Sequence, residues 1–311
     1  MPNKTLSTTL LACGLLAATL GSARAADPDS CQTVRMGVVG WTDVVATSAL
    51  AEVMLEGLGY GVKPTTASQQ IIMAAMGDKN LDVFLGYWQP TMHPVVQPFV
   101  DKGQVKVLTP PLLADAQSTF AVPEYVYEGG LKTFADIARF KDKLGGKIYG
   151  IEPGSGANRG TAEMIKTDRF GLKDFQLVES SEAGMLTAVR RAEKRKEWIV
   201  FFGWKPHPMN LQIKMRYLTG SEDVFGPNEG QATVSVVTTA DYPQRCANVQ
   251  RLLSNLHMDS AEVSAVMAPI LERTAPKDAA RAWLKDHPQR LDAFLQGVTT
   301  RTGQPAAALK L

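Results

Sequence analysis

From Val34 onward, short apolar runs alternate with stretches of helical periodicity, and this alternation constrains the fold more than any other feature. Strands are predicted over 34–41, 61–66, 81–88, 105–108, 119–123, 147–151, 175–178, 198–202, 215–218 and 233–238. Helices are predicted over 43–58, 68–76, 94–102, 134–144, 158–167, 182–197, 247–256, 260–272 and 276–297. Repeated strand–helix alternation calls for mainly parallel sheets with helices on both faces. At 311 residues the expected α/β architecture is two lobes rather than one.

Residues 1–25 read as a secretory signal. Lys4 supplies positive charge, Leu10 to Leu20 an apolar stretch, and Ala23-Arg24-Ala25 an A-x-A cleavage site. Cleavage after Ala25 would place the mature chain in the periplasm. The competing readings are a buried N-terminal helix, and lipoprotein processing at Cys13 within Leu10-Leu11-Ala12-Cys13. Without Lys4 and Arg24 the basic residues equal the 31 acidic ones. A neutral chain offers no electrostatic footprint for nucleic acid or anionic membrane. Beyond residue 25 no apolar run approaches the roughly 18 residues of a membrane span.

After cleavage two cysteines remain, Cys31 and Cys246. Two cysteines in an exported chain are expected to pair, with two free buried thiols as the alternative. Pairing would return the C-terminal helices to the first lobe. The expected domains are then a discontinuous lobe I, 26–115 with 221–311, and an inserted lobe II, 116–220. Two α/β lobes joined by two crossings near 115 and 220 describe a ligand-clamping hinge protein. The ligand belongs at the carboxyl ends of the strands, between the lobes.

Those strand ends carry a pattern. Trp41 follows Gly40, Trp204 follows Gly203, and Trp88 follows Gly86 by two. Glycine there would let a partner approach the backbone closely. Three tryptophans converging on one cleft suggest an aromatic cage for a cation, each ring contributing roughly 0.5–2 kcal/mol. A quaternary ammonium donates no hydrogen bond, so ring faces and a carboxylate are its partners, and Asp43 is placed to be that carboxylate. The alternatives are lobe-interface packing for the rings and helix N-capping for Asp43. The turn Glu152-Pro153-Gly154-Ser155-Gly156-Ala157-Asn158 joins a strand to a helix and would present N–H groups to an anion or hydroxyl, or would simply be a tight turn. It lacks the spacing of a dinucleotide motif. The four histidines are scattered, and neither they nor the cysteines stand at metal-ligand spacing, so no metal or cofactor is expected. The basic run Arg190–Lys196 reads as a solvated helix face.

Several stretches together resemble the periplasmic choline-binding proteins of bacterial ABC importers, within the wider glycine betaine/choline family: VGWTD (39–43), LDVFLGYWQPTM (81–92), KIYGIEPG (147–154), QLVESSEAGML (176–186), WIVFFGWKPHPMN (198–210) and FGPNEGQATV (225–234). The resemblance covers nearly the whole mature chain. It implies a two-lobe, type II-like periplasmic binding protein fold, capture of a quaternary ammonium compound and transient docking on a membrane permease. A monomer is expected. By position, Trp41, Trp88 and Trp204 are similar to the cage walls, and Asp43 to the acid that holds the choline hydroxyl. The cysteine pair also fits the family. Two departures stand out. Ser118 occupies the place of a tyrosine wall, and Ser155 that of an Asn after the EPG turn; Asn158 is nearby but matches a different position. A wider, three-walled cage follows, with carnitine or glycine betaine as alternatives to choline. Tyr87, Phe120 and Tyr125 are candidates for a replacement ring. A rival of another class is a secreted choline-ester hydrolase built on Ser155 and His207. A sensor subunit presenting the same ligand is a further rival.

Overall fold

A computed structural model describes residues 26–306 and 309. The signal segment and Cys13 therefore lie outside the described residues. Ten strands form one hydrogen-bonded sheet: β1 (Thr33–Val38), β2 (Gly61–Thr66), β3 (Val83–Gln89), β4 (Val105–Val107), β5 (Leu113–Pro123), β6 (Lys147–Tyr149), β7 (Gln176–Val178), β8 (Phe201–Lys205), β9 (Met215–Tyr217) and β10 (Gln231–Thr239). The order is β2-β1-β3-β10-β5-β8-β6-β7, with β4 on β10 and β9 on β5. β1 runs parallel to β2 and β3, and β6 parallel to β7 and β8. The centre is antiparallel: β10 pairs with β3 and β5, and β5 with β8. The chain thus leaves its first half along β5 and returns along β10. The fold class is the expected one, an α/β binding-protein architecture, but its two parallel ends are fused through two antiparallel strands.

The sequence pattern works because the strands are buried on both faces. In β3 every residue but Gln89 is buried. Helix α1 (Thr42–Gly57) packs so tightly on β3 that a Cβ on Gly86 would come within 2.6 Å of the Val44 side chain. A Cβ on Gly203 would meet Ala121 at 3.0 Å. These glycines therefore serve close packing within the sheet layers, not the approach of a ligand.

Several predicted elements differ; the predicted 34–41 strand ends at Val38, and the predicted 119–123 strand begins at Leu113. The 134–144 helix is instead two 3-10 turns, Phe134–Asp136 and Ala138–Phe140. The apolar residues Phe134, Ile137 and Phe140 recur every three positions, the period of a 3-10 helix. A Thr133–Asp136 capping box fixes the start. The 276–297 helix divides into Pro276–Asp286 and Pro288–Phe294, because Pro288 has no N–H to continue the ladder. β8 begins at Phe201 rather than Trp198, whose ring packs on Phe140. Trp204 therefore stands inside β8, paired with Ser118 of β5.

Cys31 and Cys246 form a disulfide with Cα atoms 5.6 Å apart, across a sequence separation of 215. Among the described residues no helix is long and apolar enough to cross a membrane.

Candidate functional site

Trp41, the N-cap residue of α1, follows the turn after β1, and Asp43 lies in the first turn of that helix. Trp88 stands one residue before the end of β3, and Trp204 and Phe202 come from β8. Together with Thr91, Ser118, Ile151, Ser155, Gly156 and Ala157 they line a small cavity, with room of about 30 Å³ for the centre of a water-sized sphere. The three tryptophans are each at least nine-tenths buried.

Asp43 does not cap its helix. Its Oδ2 accepts from Trp88 Nε1 at 2.9 Å, and its Oδ1 is buried without a partner among the described residues. Burial, reinforced by the charge of Glu182, pushes its carboxyl up to about 7. Ser118 Oγ and Trp204 Nε1 are also buried and unpartnered among the described residues. Ser155 caps helix Gly156–Lys166, its Oγ accepting from Asn158 N. Gly156 and Ala157 open that helix, so their N–H groups have no carbonyl in the preceding turn. A Cβ on Gly156 would fall 2.3 Å from the Thr91 carbonyl oxygen, so only glycine lets the helix start approach the opposite wall.

Asn158 is not in the cavity. Its side chain accepts from Ile151 N and donates to the Ile151 and Glu152 carbonyls and to Glu179, which holds the turn together. None of the three candidate replacement rings lines the cavity. Tyr87 is buried with its hydroxyl near His93, Phe120 stacks on Phe134, and Tyr125 donates to the Glu197 carbonyl. Phe202 is the additional aromatic residue in the wall. The predicted 198–202 strand stops before Trp204 and so does not put Phe202 and Trp204 on one face. The Phe202 ring lies beside that of Trp204, at the i, i+2 spacing that puts both on one face of β8.

Ser155 and His207 do not pair. His207 Nδ1 accepts from Met209 N, so its proton sits on Nε2, which faces Glu182 Oε1 at 3.0 Å. The two halves also touch around the cavity. Gln69 and Gln70 donate to the Gly154 carbonyl, Trp41 Nε1 donates to Glu152, and Thr42 bonds to Glu182.

A mixed sheet bent around a buried aromatic cleft, with strand ends and helix starts from both halves of the chain, defines a periplasmic-type solute-binding protein. The chain belongs to the family of substrate-binding domains of ABC-type glycine betaine transport systems, whose profile matches residues 32–286. An ABC-transporter choline-binding protein solved with choline is 46% identical, with a TM-score of 0.89 over 91% of this chain and 98% of that one. Lactococcal OpuAC, solved closed with glycine betaine, is 25% identical, with a TM-score of 0.76 over 84% of this chain and 98% of that one. The glycine betaine/carnitine transport binding protein GbuC of Listeria monocytogenes is 27% identical over 151 residues, 49% of each chain. Members of the family are transport substrate-binding proteins rather than enzymes, and those of ABC importers are exported.

Proposed function

We propose that this protein captures a quaternary ammonium solute in the cleft and delivers it from the periplasm to a membrane permease. One observation carries the reading: Trp41, Trp88 and Trp204 line one cavity together with a carboxylate, Asp43, whose Oδ1 has no partner among the described residues. Ring faces and an anion are what a trimethylammonium group can use. The choline held by the 46%-identical protein supports the ligand class. Residues 26–115 with 221–311 form one lobe and 116–220 the other, closing about β5 and β10. Cleavage after Ala25 releases the working monomer.

Within that class, the donors on the second half favour a ligand that also carries a carboxylate. Ser118 Oγ and Trp204 Nε1 are unpartnered among the described residues, and Gly156 and Ala157, which open a helix, line the same cavity. Leaving a buried donor unmade costs about 1–3 kcal/mol, which a carboxylate would recover and choline, with one hydroxyl, would recover only in part. Calorimetric titration of refolded mature protein with choline, carnitine, glycine betaine and proline betaine tests this. Carnitine or a betaine is expected to bind more tightly than choline. Tight choline binding with weak carboxylated ligands would reverse the preference. Heat from none of the four would remove the cage reading. Product formed from a choline ester would favour the hydrolase instead.

Asp43 makes binding depend on pH. Its folded value, about 7, lies above the ordinary 3.8, so the stability it confers on the empty closed form is present below about 4 and lost as pH rises to about 7. A bound cation supplies the missing counter-charge and lowers the carboxyl's pKa. Cation binding should therefore expel up to one proton at pH 6, with affinity rising with pH and levelling off above about 7. Titration at pH 6 in buffers of different ionisation enthalpy reads the proton directly. Asp43→Asn should abolish its release. No release from the wild type would mean that Asp43 is already ionised in the empty site.

A further inference from the structure

The N-terminus of α1 has no cap of its own. Its N-cap residue is Trp41, whose side chain makes no capping hydrogen bond. The acceptor comes from the opposite half of the molecule. Glu182 Oε2 accepts from Thr42 N at 2.8 Å, and Glu182 Oε1 accepts from Thr42 Oγ1 at 2.5 Å. Oε1 also accepts from His207 Nε2, and His207 is held in that tautomer by Met209 N. The glutamate is buried, only 6% exposed, and begins helix Glu182–Arg195. Its negative charge lies at the positive end of the sixteen-residue α1.

We propose that Glu182 is the latch of the closed form: it caps α1 in trans and, through Thr42, fixes the orientation of the two flanking cage residues Trp41 and Asp43. The proposal builds on the cation-cage reading above but assigns a residue outside the cavity wall. When the halves separate, the α1 N-terminus loses this cap to water while Glu182 keeps His207 within its own half, so the bonds to Thr42 favour closure. The carboxylate is required because it meets three donors: Thr42 N–H, Thr42 O–H and His207 Nε2–H. In Glu182→Gln an NH2 group must face at least one of them. Glu182 is a positioning residue, distinct from the groups that touch the ligand.

The test compares wild type, Glu182→Gln and Thr42→Val, which keeps the amide but removes the hydroxyl. Small-angle X-ray scattering gives the closed fraction without ligand and with each of the four quaternary amines. Stopped-flow tryptophan fluorescence gives the rate constants. Glu182→Gln is expected to lower the closed fraction and raise the dissociation rate about tenfold or more, with the association rate within about twofold. Thr42→Val should do the same to a smaller extent. The melting temperature of the ligand-free protein should stay at the wild-type value in Thr42→Val, which leaves the Glu182–His207 contact intact. Equal closed fractions and dissociation rates in the variants would overturn the latch while leaving the cage intact. A wild type that closes yet binds none of the amines would overturn the cage alone. A wild type that never closes would overturn the latch itself.

Discussion

Trp204→Ala and Trp88→Ala are each expected to weaken binding of the preferred quaternary amine by about 1–3 kcal/mol, roughly 5- to 150-fold in Kd. Both side chains are about 95% buried against the cavity, so truncation removes a ring face and apolar contact together. The two variants should differ in kind. Trp204 has an indole N–H without a partner among the described residues, so its loss leaves the hydrogen bond to Asp43 in place. Trp88 also donates to Asp43 Oδ2 at 2.9 Å, so its removal leaves that carboxylate without its one side-chain donor among the described residues. Trp88→Ala should therefore raise the Asp43 pKa further and move the pH dependence of binding upward. Trp204→Ala should weaken binding with the pH profile in place. Calorimetry at pH 6 and pH 8 separates the two. Unchanged affinity in both variants would sink the cage.

Much of this architecture is written in the local pattern. Strands such as β3, buried along nearly their whole length, leave continuous apolar runs that stand out between polar helix faces. The glycine-adjacent tryptophans are visible as a cluster of strand ends, and Gly40 beside Trp41 does face open space. Gly86 and Gly203 accommodate Val44 and Ala121 rather than a solute. What local pattern does not encode is which distant residues meet. Nothing in the first turn of helix Glu182–Arg195 distinguishes a trans cap from an ordinary acidic helix start. Asn158, a plausible ligand contact by position, spends its amide on the Ile151–Glu152 turn. Ser118 was legible as a departure from the family pattern, but its meaning came from three dimensions: cross-strand pairing places it beside Trp204, both with unused polar atoms.

Replacing both bridge cysteines, Cys31→Ser with Cys246→Ser, is expected to cost up to roughly 5 kcal/mol of stability, the chain-entropy figure for a loop of about this length. For a chain of this size that corresponds to a fall of roughly 10 °C in Tm. Ligand affinity should change by no more than about twofold, because the bridge ties the N-terminal segment to the far side of the first half. Polar bonds hold that junction as well. Asp27 accepts from Asn248 N and Val249 N, capping helix Ala247–Asn255, which has no side-chain cap from its own N-cap residue. Tyr60 donates to Asp27, and Asn248 bonds to Tyr60 and to the Thr299 carbonyl. Arg35 and Arg245 both pair with the buried Asp82, holding it below the usual carboxylate range. With these contacts in place the native junction can survive loss of the bridge, and the destabilisation then resides in the freed unfolded chain. Thermal melts and titrations of the double variant measure the two effects separately. A Tm within about 2 °C of wild type would overturn the chain-entropy account of this bridge. A large loss of affinity would mean that the bridge positions α1, and with it Trp41 and Asp43, rather than simply closing the chain.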